Sequence, residues 1–305
     1  MRIAVNLPLK PEPWVQGLQA ALPDAEVYAW TPGAPEADYA VVWAAPQSFV
    51  DAQPKLQALF NIGAGVDALM GLKLPAHTRI VRLDDAGMAV QMAEYVCHAL
   101  IRFYREFAAY EEEQREGNWA FRKPLERADY PVGILGLGVL GQRVAQAVQQ
   151  FEFPVRGWSN SPKQIEGVQS FVGEAQLDEF LAGTRVLVNL LPLTEATRGL
   201  LNQRTLRQLM QGGHLIHIAR GGHLVEEDLI PLLDSGWLHS ATLDVFQTEP
   251  LPADHPFWRH PRITVTPHAS ARTLRRETIA QIAGKIGALQ RGEAIAGVVD
   301  PQRGY

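Results

Sequence analysis

Short apolar runs along this chain alternate with longer stretches in which apolar positions recur every three or four residues. In the first part the runs fall at residues 2–6, 26–30, 39–43, 58–62 and 79–83, each read as a strand and each separated by a helical or turn segment. Strands and helices alternating at this spacing predict a parallel α/β sheet, and the set predicts a small flavodoxin-like domain. From residue 88 to 116 the pattern becomes one long helical stretch, ended by Gly117 and Asn118. An aromatic and basic segment, 119–127, leads into a cleaner series of strands at 132–135, 155–158, 185–190, 214–219, 241–245 and 263–266. From about Arg275 a last helix carries Ile279, Ile282, Ile286 and Leu289 on one face. Having no sheet of its own, that helix is expected to pack back on the first domain.

The chain thus reads as two doubly wound parallel-sheet domains, residues 1–94 with 274–305 and residues 95–273, with hinges near Glu94 and Thr273. Its length of 305 residues agrees, being long for a single hydrophobic core. The composition, 47% hydrophobic and 20% charged, is that of a globular protein. A net charge of -5 speaks against a general nucleic-acid binder, and the cluster of Arg272, Arg275 and Arg276 reads as the solvated start of a helix. No apolar run reaches the roughly 20 residues that span a bilayer, so no membrane partner is expected. The first residues read as a strand rather than a signal peptide, and a single cysteine, Cys97, suits a reducing compartment; a cytoplasmic location is expected. Within the apolar run 95–100, Cys97 reads as a buried structural thiol. The nine histidines are scattered, with His214 and His217 along a strand, so no metal is expected.

The strongest local signal is Gly136-Leu-Gly138-Val139-Leu140-Gly141, which follows a strand and opens a helix. Gly136 allows the tight turn, Gly138 lets backbone approach a pyrophosphate, and Gly141 lets helix pack on strand. The N–H groups at the helix start, from Val139 and Leu140 on, then face the phosphates. With the strands that follow, this makes the second domain a Rossmann dinucleotide-binding domain. An NAD enzyme usually carries Asp or Glu at the end of the next strand, for the ribose 2′-hydroxyl. Here Ser159, Asn160, Ser161 and Lys163 stand there, and no acid appears before Glu166. Without a carboxylate to repel a 2′-phosphate, NADPH is favoured, and NADH stays possible.

Three later segments each end a predicted strand, which is where open α/β sheets place their ligands. They carry Arg220, Glu249 and His268. Reduction of a 2-keto acid needs a cation for carboxylate and carbonyl, an acid to protonate the carbonyl oxygen, and a group that keeps that acid charged. Arg220 offers a bidentate fork, His268 is the natural proton donor, and Glu249 would favour its charged form and fix its orientation.

In order, the glycine motif, the run from Leu191 and Pro192 to Asn202, Ala219-Arg220-Gly221, Asp244-Val-Phe with Glu249-Pro250, and Pro267-His268 resemble the signature series of the D-2-hydroxyacid dehydrogenases. The resemblance covers essentially the whole chain and is greatest to the bacterial glyoxylate/hydroxypyruvate reductase A group. The segments 39–43, Gly63 to Asp67, Gly87 to Tyr95 and the ending Gln302 to Tyr305 support it. It implies reduction of glyoxylate and hydroxypyruvate, with catalytic roles for Arg220, Glu249 and His268. It implies cofactor contacts at Leu191, Pro192, Ala219 and Asp244, and a substrate carboxylate held by backbone N–H groups of loop 61–66, at Ala64, Gly65 and Val66. Trp43 and Met88 line the substrate pocket or belong to the core. Asn160 is a departure, standing where the resemblance calls for Arg.

Two other readings stay open: an NAD-linked phosphoglycerate or D-lactate dehydrogenase, and a non-catalytic dinucleotide-sensing interaction protein. The aromatic density of Trp119, Phe121 and Tyr130 near a polar helix, together with the resemblance, leads to an expected homodimer joined through residues 104–127.

Overall fold

The structure is a computed structural model that describes residues 1–8 and 10–300. The ending Gln302 to Tyr305 cited above lies outside the described residues. The chain divides into two compact units, Met1–Met88 with the chain from Thr273 on, and Ala89–Arg272.

The first unit runs β1 (Arg2–Asn6), α1 (Glu12–Ala21), β2 (Glu26–Ala29), β3 (Tyr39–Val42), α2 (Gln47–Asp51), β4 (Ala58–Asn61) and β5 (Arg79–Val81). The strands are parallel in the order β2-β1-β3-β4-β5, the flavodoxin-like arrangement. Phe49, Leu56 and Leu59 form part of the core on one face of this sheet.

The second unit begins one residue into α3 (Met88–Tyr104), which is followed by α4 (Phe107–Glu116). The single helix expected over 88–116 is therefore two. Glu106 adopts a left-handed conformation, φ 52°, which breaks the helical hydrogen-bond ladder without a glycine or proline to announce it. Then follow β6 (Val132–Leu135), α5 (Val139–Gln149), β7 (Val155–Ser159), β8 (Val168–Val172), α6 (Leu177–Ala182), β9 (Val186–Asn189), α7 (Gln203–Leu206), β10 (Gly213–His217), α8 (Glu226–Asp234), β11 (Leu238–Leu243) and β12 (Ile263–Val265). All seven strands are parallel, in the order β12-β11-β10-β9-β6-β7-β8. That is one more strand than the six expected. β8 leaves little trace in the apolar pattern because it is an edge strand paired with β7, and of its five residues only Phe171 is buried.

The central strands are apolar on both faces, as a parallel sheet covered on both sides requires. On β9, Val186 and Val188 face one core layer and Leu187 the other; on β10, Ile216 and Leu215 divide in the same way. The expected strands mostly ran one or two residues too far at their C-terminal ends, where the chain already bends into the loops that carry the polar residues. Cys97 is half-buried rather than fully buried; burial pushes its thiol pKa up, which suits a structural role.

The last helix, α9 (Arg275–Gln290), belongs to the first unit and lies against α1. A side chain at Gly17 would collide with Ile279 Cδ1, 2.4 Å away, so α1 is bare where α9 crosses it. Ile279, Ile282 and Ile286 are buried, and Leu289 is half-buried. The passage between units falls at Met88, the first residue of α3, a turn and a half before Glu94.

Candidate active site

The glycine turn sits between the C-terminal end of β6 and the start of α5, next to the β6–β9 pairing where the strand order reverses. Gly136 has φ +99°, closed to ordinary side chains. A Cβ on Gly141 would stand 1.9 Å from the Gly136 carbonyl oxygen, so α5 touches the turn backbone to backbone. A Cβ on Gly138 would meet nothing within 4 Å, which leaves open space over the helix start. No side chain caps α5, so its first N–H groups keep their donors for a ligand. These features fit the pyrophosphate of a dinucleotide. Val139 is exposed and Leu140 half-buried beside them.

Ser159 is the last residue of β7 and is buried; its hydroxyl donates to the Ser161 carbonyl at 2.8 Å. It shapes the turn, and the exposed Asn160 and Ser161 with half-buried Lys163 form the surface beyond the strand. On the other side of β6, Asn189 Oδ1 accepts from the Leu191 N–H at 3.2 Å and fixes the start of the Leu191–Pro192 segment. Leu191 and Ala219 are buried, and Pro192 is half-buried.

The ends of β10, β11 and β12 are neighbours in the sheet and bring Arg220, Glu249 and His268 to one edge. Gly221 ties the first to the second. A Cβ there would lie 1.9 Å from the Phe246 carbonyl carbon, so only glycine lets the two loops meet. His223 holds the Arg220 loop from behind: its Nδ1 is 2.8 Å from the Arg220 carbonyl oxygen and its Nε2 is 3.2 Å from that of Pro192. Arg220 itself is half-buried and donates from Nη1 to the Ala219 carbonyl at 2.7 Å.

Glu249 Oε1 accepts from the Phe246 N–H at 3.0 Å, and Oε2 lies 2.8 Å from His268 Nδ1. A carboxylate only accepts, so Nδ1 carries a hydrogen and the exchangeable proton of the ring is the one on Nε2. The pair is partly exposed, at 36% and 39% of the side-chain surfaces, which leaves the ring open to a small molecule. His268 has φ +50°, unusual for a residue with a Cβ. Asp244 is wholly buried among these loops and accepts from Thr266, Ala269 and Ser270.

In the first unit, loop 61–66 follows β4. Asn61 Nδ2 donates to the carbonyls of Gly63, at 3.2 Å, and Gly65, at 2.7 Å. With those carbonyls drawn inward, the N–H groups of Gly63, Ala64, Gly65 and Val66 take no hydrogen bond among the described residues. Such a row of donors suits an anion. Trp43, partly exposed, lies over this loop, its ring 2.3 Å from where a Gly63 Cβ would stand; Met88 is buried. Val66 is buried, and Ala64 and Gly65 are half-buried. Asn61, His223, Tyr95 and Thr266 join the site through contacts that the sequence does not mark. The first two act on carbonyls of nearby loops, and no spacing pattern announces that.

The family model for the NAD-binding domain of D-isomer specific 2-hydroxyacid dehydrogenases matches residues 97–270. A glyoxylate/hydroxypyruvate reductase A from Serratia proteamaculans (strain 568) is 48% identical over 301 residues, which cover 96% of each chain. Two crystal structures share the fold at a TM-score of 0.93. One, 38% identical and covering 99% of each chain, is a D-isomer specific 2-hydroxyacid dehydrogenase from Xanthobacter autotrophicus Py2 in complex with NADPH and MES. The other, 36% identical and covering 100% of this chain and 99% of that one, is an NADPH-dependent glyoxylate/hydroxypyruvate reductase from Sinorhizobium meliloti in complex with NADP and sulfate.

Proposed function

The chain belongs to the D-isomer specific 2-hydroxyacid dehydrogenases, and on that footing we propose that it reduces glyoxylate to glycolate and hydroxypyruvate to D-glycerate with NADPH. The observation that carries this reading is the His268 Nδ1 to Glu249 Oε2 hydrogen bond of 2.8 Å, beside Arg220 on the next strand end but one. A nicotinamide dinucleotide held in this domain would supply the hydride for the carbonyl carbon. Gly136, Gly138 and Gly141 with the first turn of α5 would hold its pyrophosphate, and the Ser159–Lys163 turn and the Leu191, Pro192 and Ala219 segments would contact the rest of it. Arg220 binds the keto acid and polarises its carbonyl through the planar guanidinium. His268 gives the Nε2 proton to the carbonyl oxygen as that oxygen gains charge, and Glu249 stabilises the imidazolium before the transfer. In the first unit, the Ala64, Gly65 and Val66 N–H groups form a row of donors suited to a carboxylate.

The missing carboxylate at the end of β7 supports NADPH over NADH, as do the NADPH and NADP bound in the two similar structures. Purified protein assayed by absorbance with each cofactor and both keto acids tests the reading. Turnover with NADPH and either acid is expected; none with either cofactor would refute it.

The same reading makes the protein a cytoplasmic homodimer. Trp119 is fully exposed and Phe121 88% exposed in the described chain, on the segment after α4, which is an aromatic surface suited to a second copy. A monomeric mass by light scattering would refute the dimer. Among the described residues no helix is long and apolar enough to cross a membrane.

A further inference from the structure

We propose that Tyr95, Thr266 and Asp244 form a directional hydrogen-bond chain that positions His268, with Tyr95 and Thr266 acting as positioning residues for the proton donor. The inference rests on the proposed reductase reading and adds residues that the reading does not require.

Three observations fix the direction of the chain. Thr266 Oγ1 lies 2.5 Å from Asp244 Oδ1, and a carboxylate cannot donate, so the threonine hydrogen is committed there. Tyr95 Oη lies 2.6 Å from the same Thr266 oxygen, so the tyrosine must be the donor of that bond. Burial pushes the Tyr95 phenol up to about 12, which keeps it an O–H donor through the neutral range. Hydrogen bonds oriented head to tail into a buried charge strengthen one another.

The chain ends on the backbone around His268. Asp244 Oδ1 also accepts from the Ala269 N–H at 2.7 Å, and Oδ2 accepts from the Ser270 N–H at 2.9 Å. The Asp244 carbonyl accepts from the His268 N–H at 2.9 Å, and the Thr266 carbonyl is 3.1 Å from the same N–H. The residue two before His268 and the two after it are thus all tied to one buried aspartate. This explains how a histidine is held at φ +50°, since such a conformation persists only where its surroundings over-determine it. Loosen the ties and the ring is free to leave Glu249. Asp244 keeps one acceptor direction on Oδ2, so this role is compatible with a cofactor contact at the same residue.

The full chain carrying Thr266→Val, Thr266→Ser and Tyr95→Phe tests the proposal, with two kinds of readout. In steady-state reduction of glyoxylate, Thr266→Val lowers kcat by about tenfold or more while the KM for NADPH stays within about twofold, since a small displacement of a reacting group is costly. Thr266→Ser, which keeps the hydroxyl, recovers most of that loss, and Tyr95→Phe falls between. In imidazole nitrogen NMR spectra of the protein without cofactor, the Nδ1–H to carboxylate signature of His268 is lost in Thr266→Val and kept in Thr266→Ser. The signal is assigned through His268→Gln. Equal kcat for the Val and Ser variants, or an unchanged His268 signature in the Val variant, would overturn the proposal. If the Val variant does not fold, a Tyr95→Phe protein with wild-type kcat and spectrum overturns it. Absence of turnover in the wild type would instead refute the reductase reading, and the spectra would still decide the positioning role.

Discussion

His268 Nδ1 lies 2.8 Å from Glu249 Oε2, and the other oxygen of that carboxylate is held by the Phe246 N–H at 3.0 Å. The carboxylate therefore cannot turn away from the ring without giving up a backbone bond, and it keeps the second ring nitrogen, Nε2, as the site of the mobile proton. Glu249→Gln removes the charge and keeps the shape. The ring loses the charged acceptor that holds its Nδ1–H, so kcat for glyoxylate falls by roughly tenfold or more while the KM for NADPH is kept. A kcat equal to that of the wild type would contradict this.

Arg220→Lys keeps a positive charge but loses the planar fork that can engage carboxylate and carbonyl together. Both constants should suffer, the KM for keto acid rising and kcat falling, with kcat/KM down by roughly 10- to 100-fold, the range for a lost bond to a charged group. A change confined to KM would mean that Arg220 only binds.

At the end of β7, Ser159→Asp sets a carboxylate where NAD enzymes carry one. Repulsion of a 2′-phosphate should raise the KM for NADPH by roughly tenfold or more and lower that for NADH. Steady-state kinetics with both cofactors check this, and an unchanged preference would place the 2′-phosphate elsewhere.

Two histidines of β10 give the fold a pH dependence of its own. His214 stacks on Phe103, with Ser240 and Thr242 hydroxyls at its two nitrogens; His217 is buried beside Asn189. Burial lowers each from 6.5 to about 3, so the native state refuses protons that the unfolded chain accepts. Stability is therefore fully present above pH 6.5 and declines as pH falls from 6.5 toward 3, by roughly 1.4 kcal/mol per pH unit for each histidine. Urea unfolding between pH 6.5 and about 5, above most carboxylate titration, measures the slope. His214→Gln should reduce it by one proton's worth, and a flat wild-type profile would contradict the account.

What the sequence made legible is local. The glycine turn, the missing acid after β7 and the polar residues at three strand ends all sit within a few residues of the strand that positions them. β8 was hidden because an edge strand with one buried residue carries little apolar signal, and the break at Glu106 because a left-handed glutamate has no marker in the sequence. The Tyr95–Thr266 bond joins residues 171 apart in the chain, and only the packing of α3 beside the sheet brings them together. Asp244 was legible as part of a motif, but not as the anchor of the His268 loop, since its three partners are distinguished by geometry alone.

The central claim is that His268 donates the proton in an NADPH-dependent reduction, and His268→Ala tests it most directly. The variant should fold, should bind NADPH with wild-type affinity by fluorescence titration, and should lose a factor of roughly 10² to 10⁴ in kcat for glyoxylate, the usual contribution of a general acid. Reduction of glyoxylate by His268→Ala at nearly the wild-type rate would contradict the mechanism while leaving the fold and the family intact.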